Sequence, residues 1–151
     1  MKSLKELVQD PAVFRSLVED SLRTLDGEVS KRSGIGGLAL KGAYKVLKGV
    51  QQGKVLRKGV EKLMPDFVEQ LDPYFTRYRQ QGKGISWSEY LKPHHEAIAD
   101  QLLRVTDARV QESSSQTVHT TYQKFRPKAR KEVVTSLPAL ARMMEPYLPK
   151  A

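Results

Sequence analysis

At 151 residues the chain has the length of one ordinary domain, enough to bury a core without metals or disulfides, whereas either half alone, at roughly 75 residues, would be marginal. It contains no cysteine, which excludes a disulfide scaffold, a thiolate nucleophile and a cysteine-ligated metal. The start, Met-Lys-Ser-Leu-Lys-Glu-Leu-Val, lacks a leader-length apolar stretch, and no window approaches the ~20 apolar residues of a membrane span, so the expectation is a soluble cytoplasmic protein, at most peripheral to a membrane.

Ser3 and Glu6 have the spacing of a capping box and predict a short first helix. Asp10-Pro11 follows as N-cap and first-turn proline, and Phe14, Leu17, Val18, Leu22, Leu25 and Val29 then recur at helical spacing. Ser33-Gly34 interrupts them. From Ile35 the series Leu38, Ala39, Gly42, Ala43, Val46, Leu47 and Val50 holds one apolar stripe for about four turns. That pattern predicts a buried stripe, with Lys41, Lys45 and Lys48 on the opposite side. Gln52-Gly53 ends the helix, and the next carries Val55, Leu56, Val60, Leu63, Met64, Phe67, Val68 and Leu71. Pro65 should kink or restart it, and Asp72-Pro73 opens a last turn through Phe75 and Tyr78. Residues 80–85 read as a linker.

A second capping box, Ser86 to Glu89, restarts the pattern. Pro93 opens a helix with Ile98, Leu102, Leu103 and Val110; the polar run Glu112 to Gln116 breaks it; Val118, Tyr122 and Phe125 form a short helix that Pro127 should stop. A last helix begins near Lys128 with Val133, Val134, Leu137, Leu140, Met143, Met144 and Leu148, interrupted at Pro138 and Pro146. Nothing alternates with period two over a useful length, so the class is all-α.

The two halves answer each other. Ser3-Leu4-Lys5-Glu6 matches Ser86-Trp87-Ser88-Glu89, Pro11 matches Pro93, and Leu22-Arg23, Asp26 and Val29 match Leu103-Arg104, Asp107 and Val110. Tyr44 matches Tyr122, and the element from Met64-Pro65 to Pro73-Tyr74-Phe75 matches that from Leu137-Pro138 to Pro146-Tyr147-Leu148. The offset shrinks along the chain, as in a duplicated unit that has lost residues mostly in one place. The expected fold is a single compact helical bundle over residues 1–151, made of two homologous repeats, 3–79 and 86–149, related by pseudo-two-fold symmetry.

The net charge is +9, unevenly placed. Residues 31–62 carry nine Lys/Arg against one Asp/Glu and residues 108–151 carry eight against three, while the rest is slightly acidic. The candidate anion-binding residues are Lys41, Lys45, Lys48, Lys54, Arg57, Lys58 and Lys62 in the first half and Lys124, Arg126, Lys128, Arg130 and Lys131 in the second. Dense cation with little compensating carboxylate is best explained by an anionic partner.

No other constellation competes. His94-His95-Glu96 with Asp100 lacks the equivalent ligands from facing helices that a carboxylate metal site needs. Ser113 to Ser115 form a polar loop with no positioned histidine or oxyanion hole. Gly34-Ile35-Gly36-Gly37 lacks the Lys-Ser/Thr ending of a phosphate loop, and with Gly42, Ala39 and Ala43 reads as a surface for close helix packing.

The stretches Ser33-Gly34-Ile35-Gly36-Gly37-Leu38 to Tyr44, Leu63-Met64-Pro65-Asp66-Phe67, Leu103-Arg104-Val105-Thr106-Asp107-Ala108-Arg109 and Lys131-Glu132-Val133-Val134 with Leu137-Pro138 resemble a family of small helical bacterial proteins, a domain of unknown function. The resemblance implies a small soluble all-α bacterial protein and supplies no activity. The reading is a non-enzymatic binding protein without metal or cofactor, whose basic surface meets an anionic partner. Nucleic acid is favoured; an anionic membrane surface or an apolar small molecule is the alternative.

Overall fold

Helix starts follow their local chemistry, while prolines inside helices are overridden by packing. The structure, a computed structural model, describes residues 3–148. Their regular elements are α1 (Glu6–Gln9), α2 (Pro11–Lys31), α3 (Gly34–Gly49), α4 (Lys54–Gln81), α5 (Trp87–Leu91), α6 (His95–Gln111) and α7 (Gln116–Met144), with 3-10 turns after α3, α5 and α7; the fold is all-α. Asp10 caps α2 by accepting from the Ala12 and Val13 N–H groups, and Ser86 and Ser115 cap α5 and α7. At the entry to α1 the Ser3 hydroxyl oxygen accepts from the Lys5 N–H (3.0 Å). The same hydroxyl donates to Asp72 (2.9 Å), whose other oxygen accepts from the Leu4 N–H (2.8 Å), tying the segment before α1 to α4.

Neither Pro65 nor Pro127 ends a helix. Pro65 and Pro73 lie inside α4, and Pro127 and Pro138 lie inside α7. Each proline forfeits a backbone hydrogen bond. The helices continue because the apolar register continues: Val68, Leu71, Tyr74 and Phe75 are buried beyond Pro65, and Ala129, Leu137, Ala141 and Met144 beyond Pro127.

All of those residues except Ala129 join Leu4, Leu7, Leu17, Trp87, Leu91, Ile98 and Leu102 in one core. Trp87 is its largest fully buried side chain and meets Phe75 edge to face, ring centroids 5.9 Å apart. α6 packs against both α4 and α7, and α2 packs against α7 and α4, so the N- and C-terminal stretches lie together. Arg32 locks this arrangement. Its guanidinium donates to Glu132 (2.7 Å) and to the Ser136 hydroxyl (2.5 Å), with Glu28 at 3.6 Å. Among the described residues, neither α3 nor α4 before Met64 contributes a side chain to the core. Nor is any helix long and apolar enough to cross a membrane.

Candidate anion-binding surface

The face that α3 turns outward differs from the one its apolar stripe predicts. Ile35 is 82% exposed, Leu38 70% and Val46 45%, while Leu47 and Val50 are only half-buried. Only Gly37 on this helix is fully buried, and a Cβ there would lie 2.8 Å from the Arg32 carbonyl carbon. Gly36 faces Glu132 of α7 at ordinary contact distance. The helix is therefore seated on its Gly36-Gly37 end and on Leu40, Ala43, Tyr44 and Leu47, all at least half-buried. Gly34 and Gly42 are exposed with nothing near them, so close packing belongs to Gly37 and not to the whole glycine series. Lys41 and Lys45 lie on the same outward side as Leu38 and Val46 rather than opposite them.

Tyr44 anchors the seat. Its hydroxyl donates to Asp26 on α2, and Lys48, one turn on, approaches the same carboxylate at 3.3 Å. Tyr44 chiefly, and Lys48 after it, hold Asp26 below the usual carboxylate range; burial and the carboxylate raise the phenol. α6 and α7 hold a matching triad. The Tyr122 hydroxyl donates to Asp107 at 2.6 Å, and Arg126, also one turn on, grips both Asp107 oxygens at 2.8 and 3.2 Å. Here Arg126 is the first cause of the lowered Asp107 value and Tyr122 assists.

The candidate cations divide by residue type. Arg57 pairs with Glu19 (2.5 Å), Arg126 with Asp107, and Arg130 with Asp100 (2.8 Å). Lys41, Lys45, Lys54, Lys58 and Lys62 are exposed and make no ion pair among the described residues; the same is true of Lys124, Lys128 and Lys131. No Asp or Glu occurs from Ser33 to Val60, so the positive charge of α3 and early α4 has no acid on its own elements. Between α3 and α4 the backbone reverses through three left-handed residues, Gln51 (φ 49°), Gln52 (φ 59°) and Gly53 (φ 87°). The two glutamines carry conformational strain. An open cleft of about 300 Å³ lies beside this turn, lined by Asp26, Tyr44, Lys48, Gln52, Lys54 and Arg57 among others.

The remaining constellations are dispersed. His94 contacts the rings of Tyr74 and Tyr90, and the His119 Nε2 lies 2.6 Å from the Ser113 carbonyl oxygen. His95 is half-buried, with Nε2 unpartnered, and burial first, then Lys92 and His94, lowers its basicity. No three His, Asp or Glu side chains among the described residues are grouped to hold a metal. Ser113 and Ser115 order the loop before α7, each accepting from a backbone N–H.

Sequence patterning put the lysines on an outward face, where they are, and expected Ile35, Leu38 and Val46 to be buried, which they are not. The available signal was Gly36-Gly37, which marks where another backbone or a bulky side chain comes close.

The profile of a family of unknown function, DUF6918, matches residues 4–148. The chain belongs to this family. The DUF6918 match spans every helix just described, from α1 to α7, so the α3 surface and both tyrosine triads lie within the matched region. No curated protein and no solved structure matches the chain.

Proposed function

We infer that this DUF6918 protein is a non-enzymatic, cytoplasmic binding protein whose α3 and early α4 surface holds an anionic partner. The observation that carries this reading is the set of exposed lysines, Lys41, Lys45, Lys54 and Lys58, on a stretch without a single carboxylate, continued by Lys62 just past Glu61. Charge left unpaired on one face is available to phosphates, and it brings them in by long-range attraction. The second-half cations belong to a lesser extent, because Arg126 and Arg130 are already engaged by aspartates.

Nucleic acid bound through its phosphates, favoured on the sequence alone, becomes the second reading, supported by the row Lys54, Lys58 and Lys62 along one side of α4. The outward Ile35, Leu38 and Val46 put an anionic lipid surface ahead of it, since phosphate binding alone asks for no exposed aliphatic side chain. An apolar small molecule is the least supported partner: the cleft beside Asp26 has apolar lining from Leu22 and Leu56, but it is open to solvent and edged by Asp26, Lys48, Lys54 and Arg57. The test is heparin binding at low and raised salt, for the wild type and for the Lys41→Glu, Lys45→Glu, Lys58→Glu variant. Wild-type binding that weakens steeply with salt and is lost in the variant supports the reading, and undiminished binding by the variant overturns it.

We also read the chain as two homologous repeats about a pseudo-two-fold axis. Support comes from the paired triads Asp26–Tyr44–Lys48 and Asp107–Tyr122–Arg126, at matched positions of the two halves. It comes too from a reciprocal pair of contacts. The Tyr147 hydroxyl donates to Asp20, and the matched Tyr74 hydroxyl to Gln101, the position matched to Asp20. Reciprocity of this kind is what an isologous interface produces. An experimental structure in which 3–79 and 86–149 fail to superpose with Tyr44 over Tyr122 would remove this reading.

A further inference from the structure

Three of the large apolar side chains most exposed among the described residues, Ile35, Leu38 and Val46, sit on a single helix; Ile85 is the other. At about 100° per residue they fall with Gly42 and Gly49 into a stripe roughly 80° wide, about 16 Å long from Ile35 to Val46. Lys45, Lys41 and Lys48 follow in that order along one edge of the stripe. The far side of the helix is the seated one, through Gly37, Leu40, Tyr44 and Leu47. α3 thus lies flat on the bundle with its second apolar face uncovered, rimmed by lysine and free of acid.

We propose that this face of α3 is an interfacial docking surface for an anionic bilayer. Ile35, Leu38 and Val46 enter the boundary between headgroups and acyl chains, while Lys41 and Lys45 meet the phosphates. The proposal rests on the reading of this surface as anion-binding and names its partner. The charge complementarity is specific: a stretch of chain from Ser33 to Val60 without Asp or Glu faces headgroups that are negative on the cytoplasmic leaflet. Combined apolar and basic contributions are what interfacial helices use. Gly42 and Gly49 leave the stripe low, which suits a soft planar surface better than a groove that needs side-chain knobs. Burial of the aliphatic groups also explains why they stand in water in the free protein.

The experiment uses sedimentation of the full-length protein with phosphatidylcholine vesicles, with and without about a third phosphatidylserine. Variant Ile35→Ser, Leu38→Ser keeps every charge, and variant Lys41→Glu, Lys45→Glu keeps the apolar stripe. Because the chain has no cysteine, Leu38→Cys carries a single environment-sensitive fluorophore that reports insertion even if a double variant misfolds. The expected result is binding to the anionic vesicles, a blue shift at position 38, and loss of roughly tenfold or more in partitioning for the serine variant with heparin binding unchanged. Equal vesicle binding by the serine variant, or a label that stays in water, overturns the insertion. Heparin or DNA-duplex binding without vesicle binding overturns the membrane assignment and leaves the anion-binding reading standing. Failure to bind heparin, duplex and vesicles alike removes both.

Discussion

Residues 31–62 and 108–151 carry comparable positive charge, and the fold spends it differently. In the second stretch the guanidinium groups of Arg109, Arg126 and Arg130 reach aspartates on facing helices, Asp66, Asp107 and Asp100, at 2.7 to 2.8 Å. In the first, Lys31, Arg32, Lys48 and Arg57 reach carboxylates, but the remaining cations, Lys41, Lys45, Lys54, Lys58 and Lys62, are lysines that make no ion pair among the described residues. Arginine's planar fork suits fixed carboxylate pairing, whereas lysine is a hydrated point charge that stays available. Formal charge along a chain is therefore a poor guide to free charge: similar runs give an internal clamp in one half and an open surface in the other.

The sharpest way to break the comparison is to truncate apolar residues in both regions. Leu137→Ala, in the core, is expected to cost about 2–5 kcal/mol, while Leu38→Ala on α3 stays within about 0.5 kcal/mol; urea unfolding of each variant measures both. A large loss at Leu38 would mean that α3 is held by the face described as open. Next come the triads. Asp107→Asn removes a bidentate arginine contact and a tyrosine bond and is expected to destabilise by about 1–3 kcal/mol, against about 1 kcal/mol or less for Asp26→Asn, whose partners are one lysine and one tyrosine. Equal losses would erase the distinction between clamp and open surface.

Charge reversal gives a smaller but more telling contrast. Lys45→Glu with Lys58→Glu is expected to weaken heparin binding about tenfold at low salt, roughly 1.4 kcal/mol, and Lys124→Glu with Lys128→Glu distinctly less. Identical effects would make the two stretches one surface.

Acid and alkali supply the smallest effects. Asp26 and Asp107 have lowered values in the folded state, so their contribution is present above about pH 4 and fades as pH falls through the lowered values. Asp107→Asn should flatten the acid limb of the stability curve. Tyr147 moves the other way. Burial first, and then its bond to Asp20, push its phenol up to about 12, so its contribution is whole below about pH 10 and is lost as pH rises from there through the folded value. Tyr147→Phe should lower neutral-pH stability and remove part of that alkaline decline in thermal melts.

Much of this was legible in the residues. Asp10-Pro11 and Ser86 start helices for stated local reasons, and Leu17, Val18, Leu71, Ile98 and Leu102 are buried where helical spacing puts them. What spacing could not decide was the rotation of α3. Its sequence carries two apolar stripes, one through Ile35, Leu38 and Val46 and one through Leu40, Tyr44 and Leu47, and hydropathy favours the first, which the fold leaves outside. The choice is made by terms hydropathy omits, namely the absent Cβ at Gly37 and the hydroxyl bond from Tyr44 to Asp26. That Pro127 does not stop its helix, and Pro65 does not restart one, has a related cause. Their local cost is visible in the sequence, but the burial of Phe75 or Leu137 that offsets it belongs to the assembled bundle.

The pairing of α2 with α7 also sets a clock on synthesis. Arg32 waits for Glu132, a separation of 100 residues, and Asp20 waits for Tyr147, a separation of 127. At bacterial or eukaryotic elongation rates, 100 residues take about 5–20 s, far longer than a helix needs to form. During that interval Leu17 and Val18 on the nascent α2 have no α7 to cover them. The chain completes its core only as its last helix leaves the ribosome, so truncated products should be the species that chaperones and proteases meet.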